Sequence, residues 1–314
     1  MIELDHVTKR YGAHDSVTDV SFTVEKGGFC AIVGPSGSGK STTLRMINRL
    51  IEPSAGSIRI NGEDIAALPI EALRRRIGYA IQSVGLFPHW TIADNIATVP
   101  RLLKWPEERV QQRVDELLAL LQLDAAARTK FPHQLSGGQQ QRVGVARALA
   151  AHPTVLLMDE PFGALDPVTR AELQAEMRRI HEETRTTIVF VTHDMDEAVN
   201  LASRIALIDA GRLVQAGTPL ELLTRPANDF VRGFVGSKDL GLKVLSQRRA
   251  ADWLRPGESA AGAPIPGDTS LRAALSEMVT RGTDRLPVAD GEGRPAGALL
   301  MADLLRPASP DVTP

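Results

Sequence analysis

Cysteine is nearly absent from the chain: Cys30 stands alone among 314 residues. An internal disulfide is therefore excluded, and no thiolate cluster can hold a metal. The residue lies in Phe29-Cys30-Ala31-Ile32-Val33, an apolar run of strand length, which makes it a packed core residue. Long hydrophobic runs are missing too. Nothing approaches the ~18 uncharged apolar residues of a membrane span. The strongest stretches, Val155 to Met158 and Thr187 to Val191, are strand-sized. The start, Met1-Ile2-Glu3-Leu4-Asp5, has neither the basic residues nor the apolar core of a secretory signal. The expectation is a chain made and kept in the cytoplasm. Net charge is scarce as well, at -2 with a pI near 6.4, so there is no basic field for a nucleic acid.

The remainder is an ordinary globular composition, with 43% hydrophobic and 24% charged residues. The length suits about two domains, since single cores stop growing near ~250 residues. Alternation in Ile2-Glu3-Leu4-Asp5-His6-Val7 predicts strands with a turn at Tyr11-Gly12. Phe29 to Val33 predicts a buried strand followed by a helix over Ser41 to Leu50. Ser57 to Ile60 and Gly78 to Ile81 predict further strands, separated by the Asn61-Gly62 turn. From Thr91 to Ala151 the pattern turns helical, with Leu102, Leu103, Val110, Val114, Leu117, Leu118 and Leu121 at helical spacing. Strands return at Val155 to Met158, Thr187 to Val191 and Ile205 to Ile208, with a charged helix over Val168 to Glu183 between the first two. Strands alternating with helices predict a parallel α/β sheet carrying a helical insertion.

Composition shifts after Phe234-Val235-Gly236. Pro256 to Gly267, rich in Pro, Gly and Ala, reads as a linker or loop. A helix over Leu271 to Thr280, a strand at Leu286 to Ala289, a turn at Asp290 to Gly293, a strand at Ala296 to Leu300 and a helix at Ala302 to Arg306 make a small α+β unit. The tail from Pro307 reads as disordered.

Gly34-Pro35-Ser36-Gly37-Ser38-Gly39-Lys40-Ser41 follows a buried strand and opens a helix, the context in which this pattern binds phosphates. Glycines let backbone N–H groups turn inward, and the helix N-terminus adds positive potential. Lys40 would reach the β and γ phosphates, and Ser41 or Thr42 would offer a hydroxyl to Mg²⁺. The run Val155 to Met158 delivers Asp159 to the metal end of the phosphates. Glu160 lies one residue beyond, placed to polarise water. His193 ends the strand at Thr187 to Val191 and could bond the γ-phosphate; Gln82 ends the strand at Gly78 to Ile81 and could touch both Mg²⁺ and the water. Ser136 starts a helix with Gln139 at the capping-box position, so that helix offers a second anion site.

Leu135-Ser136-Gly137-Gly138-Gln139 is the signature of ATP-binding cassette (ABC) ATPases, and residues 1–236 resemble that family throughout. The resemblance matches Tyr11 to the adenine-stacking aromatic and Gly34 to Ser41 to the Walker A loop. Gln82 corresponds to the Q-loop and Ser136 to Gln139 to the signature. Asp159 and Glu160 correspond to Walker B, Ala164-Leu165-Asp166 to the D-loop, and His193 to the switch histidine. The fold it implies is a P-loop NTPase cassette: a RecA-like core, an antiparallel β subdomain and an α-helical subdomain over about 86–151. It further implies ATP and Mg²⁺ as cofactors, with Ser41, Gln82 and Asp159 at the metal. Two cassettes would pair head to tail, with Ser136 and Gly138 of one facing Lys40 of the other. A separate transmembrane permease and a substrate-binding protein would complete an importer at the cytoplasmic face of the cell membrane.

Asn48-Arg49-Leu50-Ile51-Glu52-Pro53, Ile77 to Gln82, Gly85-Leu86-Phe87-Pro88-His89 and Gln139 to Leu149 are similar to the osmoprotectant branch. That branch imports quaternary amines such as glycine betaine, choline, carnitine or proline betaine. An amino acid, methionine or an alkanesulfonate is the alternative cargo. After a linker at 237–264, residues 265–306 resemble one CBS motif, where a complete module pairs two; a second chain would supply the other. Leu300 stands where nucleotide-binding CBS motifs often carry Thr, and Asp303 is retained.

Overall fold

The computed structural model describes residues 1–81, 85–236 and 239–304. Two compact units divide the chain, Met1–Leu222 and Leu223–Pro314. The first begins with β1 (Ile2–Tyr11) and β2 (His14–Val24), a hairpin in which Tyr11 pairs with His14 around the predicted turn. Then come β3 (Phe29–Val33), α1 (Lys40–Ile47), β4 (Ala55–Ile60) and β5 (Glu63–Asp64). The turn Asn61-Gly62 has φ of +52° and +83°, the left-handed pair that a tight hairpin needs. These strands make an antiparallel sheet in the order β2-β1-β4-β5, with Ile2, Leu4 and Val7 facing the core.

After α2 (Ile70–Arg75) and β6 (Ile77–Ala80) the predicted helical insertion forms α3 (Ile92–Leu102), α4 (Glu107–Leu120) and α5 (Gly137–Leu149). Val110, Val114, Leu117 and Leu118 are the buried stripe of α4. Leu102 is not part of it: it ends α3 and is 67% exposed. The chain returns through β7 (Val155–Asp159), α6 (Pro167–Thr184), β8 (Thr187–Thr192), α7 (Met195–Leu201), β9 (Arg204–Asp209) and β10 (Arg212–Gly217).

The second sheet runs β10-β9-β3-β8-β7-β6, parallel except for β10. Every residue of β3, β7 and β8 is buried, the continuous apolar strand that a sheet covered on both faces requires. Cys30 lies there, its thiol pushed up to about 12 by burial, as an inert packing residue. Parallel register brings the C-terminal ends of β3, β6, β7, β8 and β9 to one edge, where ligands of such sheets bind.

Helix α8 (Pro219–Thr224) spans the division in the sequence, and α9 (Asp229–Val235) and α10 (Leu240–Ser246) follow it. Next are β11 (Arg255–Pro256), β12 (Ile265–Pro266), α11 (Leu271–Arg281), β13 (Arg285–Ala289), β14 (Pro295–Leu300) and α12 (Met301–Leu304). The sheet order is β11-β14-β13-β12 around Leu271, Met278, Leu286, Val288 and Leu299. The linker expected at 237–264, and the loop expected at Pro256 to Gly267, need correction. Helix α10 and strand β11 lie inside the former, and Ile265-Pro266 pairs with Val288-Ala289. Proline forms edge strands without losing a ladder bond, so a Pro-rich composition hid two short strands. The predicted tail from Pro307 falls outside the described residues.

Candidate nucleotide-binding site

The phosphate-loop pattern sits where β3 ends. Gly34 has φ +149°, and a Cβ there would stand 1.9 Å from the Ile208 carbonyl oxygen. Gly39 has φ +97°, with the Ser16 carbonyl oxygen 2.5 Å from the Cβ it lacks. The loop therefore threads between β9 and β2, and only glycine fits both places. Ser38 accepts a backbone bond from Gly211 at 3.1 Å, which fixes the loop from a third side. Its hydroxyl is buried with no hydrogen-bond partner.

Lys40 is 5% exposed and donates from Nζ to the carbonyls of Gly34 (2.9 Å) and Pro35 (2.7 Å). Burial lowers the ammonium from its ordinary value, while Glu160 and Asp159 act to raise it. Charge drawn into so dry a place favours an anionic ligand. Thr42 is tied to Ser16 through their hydroxyls (3.2 Å), which joins α1 to the first sheet.

Two strands away, β7 ends at Asp159, 3% exposed. Ser41 donates its hydroxyl to Asp159 Oδ1 at 2.7 Å, and Arg45 reaches Oδ2 at 3.4 Å. Arg45 also acts on Tyr79 of β6, whose phenol is raised chiefly by burial and by the Asp159 charge, with the Arg45 guanidinium opposing. Arg45 was not anticipated from the sequence. Its spacing of four from Ser41 was the available signal, since such pairs share one helix face.

Glu160 has φ +47°, a left-handed conformation costly for a side chain with a Cβ. Its N–H donates to the Val191 carbonyl (3.1 Å), and its carbonyl accepts from Gly163 (3.3 Å), so the strain is held by β8 and the following turn. His193, just past β8, places Nδ1 3.6 Å from Glu160 Oε1. Lys40, Ser41, Asp159, Glu160 and His193 thus meet at one sheet edge. Gln82 lies outside the described residues.

The second anion site is built as its sequence implies, but elsewhere. Ser136 caps α5: its hydroxyl accepts from Gln139 N–H (3.3 Å), while Gln139 Oε1 accepts from Ser136 N–H (3.1 Å). Gly137 faces open space, whereas a Cβ at Gly138 would stand 2.3 Å from Thr169 Cγ2. Asp166 caps α6 through the amides of Val168 and Thr169, at 3.1 Å each. Tyr11 is 48% exposed, with the Lys9 ammonium 5.0 Å from its ring centre. No hydrogen bond or ion pair among the described residues joins Tyr11, Asp166 or residues 136–139 to residues 34–42.

Residues 17–163 match the ABC transporter family, and residues 263–308 match the CBS domain. The glycine betaine uptake system ATP-binding protein YehX of Escherichia coli is 58% identical over 97% of this chain and 99% of its own length. The chain belongs to the ABC transporter ATPase family. This ABC ATPase is also 48% identical, over 92% of itself and 76% of the relative, to the glycine betaine/carnitine/choline transport ATP-binding protein OpuCA of Bacillus subtilis. Among solved structures it resembles a dimeric ATP-binding cassette captured after hydrolysis with ADP and Pi. That match has 34% identity and a TM-score of 0.63, and it covers 70% of this chain and 99% of that one. The cassette fold and the C-terminal CBS unit expected for the ABC ATPase are both present. Among its described residues no helix is long and apolar enough to cross a membrane.

Proposed function

We propose that this ABC ATPase powers uptake of a quaternary amine, such as glycine betaine, choline, carnitine or proline betaine, through a separate permease fed by a substrate-binding protein. The observation that carries the cargo is end-to-end likeness to YehX, a glycine betaine uptake protein. The chemistry rests on the convergence of Lys40, Asp159, Glu160 and His193.

In this reading the amides of Gly34 to Ser41 and the Lys40 ammonium hold the triphosphate, and the buried Ser38 hydroxyl finds an acceptor there. The donor set fits Mg²⁺: Ser41 Oγ and Asp159 Oδ1 are hard oxygens that already meet at 2.7 Å, with Gln82 and the phosphates as further ligands. Bound there, Mg²⁺ would offset charge building on the phosphates. Glu160 orients the attacking water and takes its proton; His193 bonds the γ-phosphate and keeps Glu160 aimed.

The N-terminus of α5 in a second copy supplies the opposite wall. Ser136, Gly137, Gly138 and Gln139 offer amides and a hydroxyl to the γ-phosphate, and Asp166 lines the seam between copies. Tyr11 stacks on the adenine. Pairing of two chains then drives the permease, and hydrolysis releases them, at the cytoplasmic face of the membrane.

The test is uptake of radiolabelled glycine betaine by cells with and without this subunit. Loss of betaine uptake on deletion, restored by the intact gene, supports the cargo. Unchanged betaine uptake, with loss of amino acid, methionine or alkanesulfonate uptake instead, refutes it.

A further inference from the structure

Helix α6 touches the elements that the two halves of the site depend on. Its first turn packs against the signature, where Thr169 leaves no room for a Cβ at Gly138. Glu172 and Glu176 reach Arg142 of α5 at 3.0 and 3.2 Å. On its other side Arg170 points at α7. Arg170 Nη2 donates to the Leu165 carbonyl at 3.1 Å, Nη1 lies 4.0 Å from Asp194 Oδ2, and Nε lies 3.9 Å from Glu197 Oε1.

Glu197 is 5% exposed and accepts the Thr192 hydroxyl at 2.6 Å. Thr192 in turn accepts from the Asp194 N–H at 3.0 Å. His193 is the residue between them, so this small network fixes the backbone that carries its imidazole. Arg170 Nε is buried with no hydrogen-bond partner, and 3.9 Å is too long for a bond to Glu197. A shift of about 1 Å would satisfy it. Packed elements of this kind move between discrete arrangements rather than deforming smoothly.

We propose that Arg170 is a positioning residue for His193: it links the Leu165–Asp166 turn to Glu197 and Asp194, so that movement of the turn sets the histidine. The inference rests on the reading of His193 and of the Asp166 seam given above. When the turn is pressed by a second copy, Arg170 closes on Glu197 and holds the Thr192–Asp194 segment in its productive place. Without that pressure the contact stays open, and the histidine is aimed less firmly.

Steady-state ATP hydrolysis by the full chain tests this, using Arg170→Ala, Glu197→Gln, the double variant and His193→Ala as reference. Arg170→Ala and Glu197→Gln should each lower kcat about 30-fold with KM within about threefold, because ATP binding uses neither residue. The double variant should also fall about 30-fold, since both changes break one linkage. Arg170→Lys, which keeps the charge but not the planar fork, should fall between Arg170→Ala and the unmodified chain and carries the test if Arg170→Ala melts. A kcat for Arg170→Ala (or, if that variant melts, for Arg170→Lys) within about twofold of the unmodified chain, a loss confined to KM, or multiplied losses of about 900-fold in the double would each overturn the proposal. Full turnover by His193→Ala would instead overturn the assignment of the histidine itself.

Discussion

Alanine at Gly34 forces a Cβ to within 1.9 Å of a backbone oxygen, at Ile208, in a conformation with φ +149°. The second contact, with Ser38 Oγ at 2.8 Å, can be relieved by turning that side chain; the first cannot. Backbone strain of this kind costs about 1–3 kcal/mol, and overpacking adds about 1–3 kcal/mol. The sum, roughly 2–6 kcal/mol, is a large share of the ~5–15 kcal/mol that stabilises a typical domain. At about 2–4 °C per kcal/mol for a unit of this size, melting should fall by about 4–24 °C. Gly37 is the internal control, because it has φ +79° but nothing within 4 Å of an added Cβ. Its alanine variant bears only the conformational cost, ~1–2 kcal/mol, so melting should fall by only about 2–8 °C. It should weaken ATP binding about tenfold through its displaced amide, equivalent to ~1.4 kcal/mol. Thermal melts without nucleotide and equilibrium binding of ATP measure the two effects separately. Equal falls in melting temperature for both variants, or an unchanged melt for Gly34→Ala, would refute the packing argument.

Three further outcomes follow from the geometry. Glu160→Gln should bind ATP normally, accumulate as the nucleotide-bound dimer and lose at least about 100-fold in turnover; undiminished hydrolysis would remove its assigned role. Burial raises the Glu176 carboxyl above its ordinary 4.5, so the folded state keeps that proton to higher pH than the unfolded chain does. Stability is therefore lost as pH climbs from about 4.5. Glu176→Gln should flatten part of that slope in melts from pH 4.5 to 7.5, and identical slopes would contradict it; Glu197, raised mainly by burial, keeps a share of the slope in both. Arg255 grips the buried Asp303 with two bonds, at 2.9 and 2.8 Å. Arg255→Ala should leave that carboxylate uncompensated and lower the melting of the C-terminal unit alone, resolved by calorimetry from that of residues 1–222.

The phosphate loop and the strands beneath it were legible because each chemical demand falls on a contiguous run. Gly34 to Ser41 is such a run, and so is the unbroken apolar Val155 to Met158. The cap at Ser136 was legible for the same reason, its partner Gln139 being three residues away. Arg45 and Arg170 were not, because their partners arrive from distant strands: Asp159 is separated from Arg45 by 114 positions. A guanidinium on a helix surface looks the same in sequence whether it meets water or a buried carboxylate. Strands β11 and β12 were hidden by proline, which signals a loop everywhere except at a sheet edge. Gln82, expected at the metal, lies outside the described residues.

Those same prolines govern how the C-terminal sheet can meet another molecule. Both of its margins are strands of two residues, Arg255–Pro256 and Ile265–Pro266, each ending in a residue with no N–H to donate. An incoming strand finds almost no ladder to extend, so polymerisation by edge-to-edge growth is blocked on both sides. Self-recognition by this unit is then carried by side chains rather than by an edge ladder. Sequence drift on α10 and α11 can then change its mating preference without opening a route to fibres.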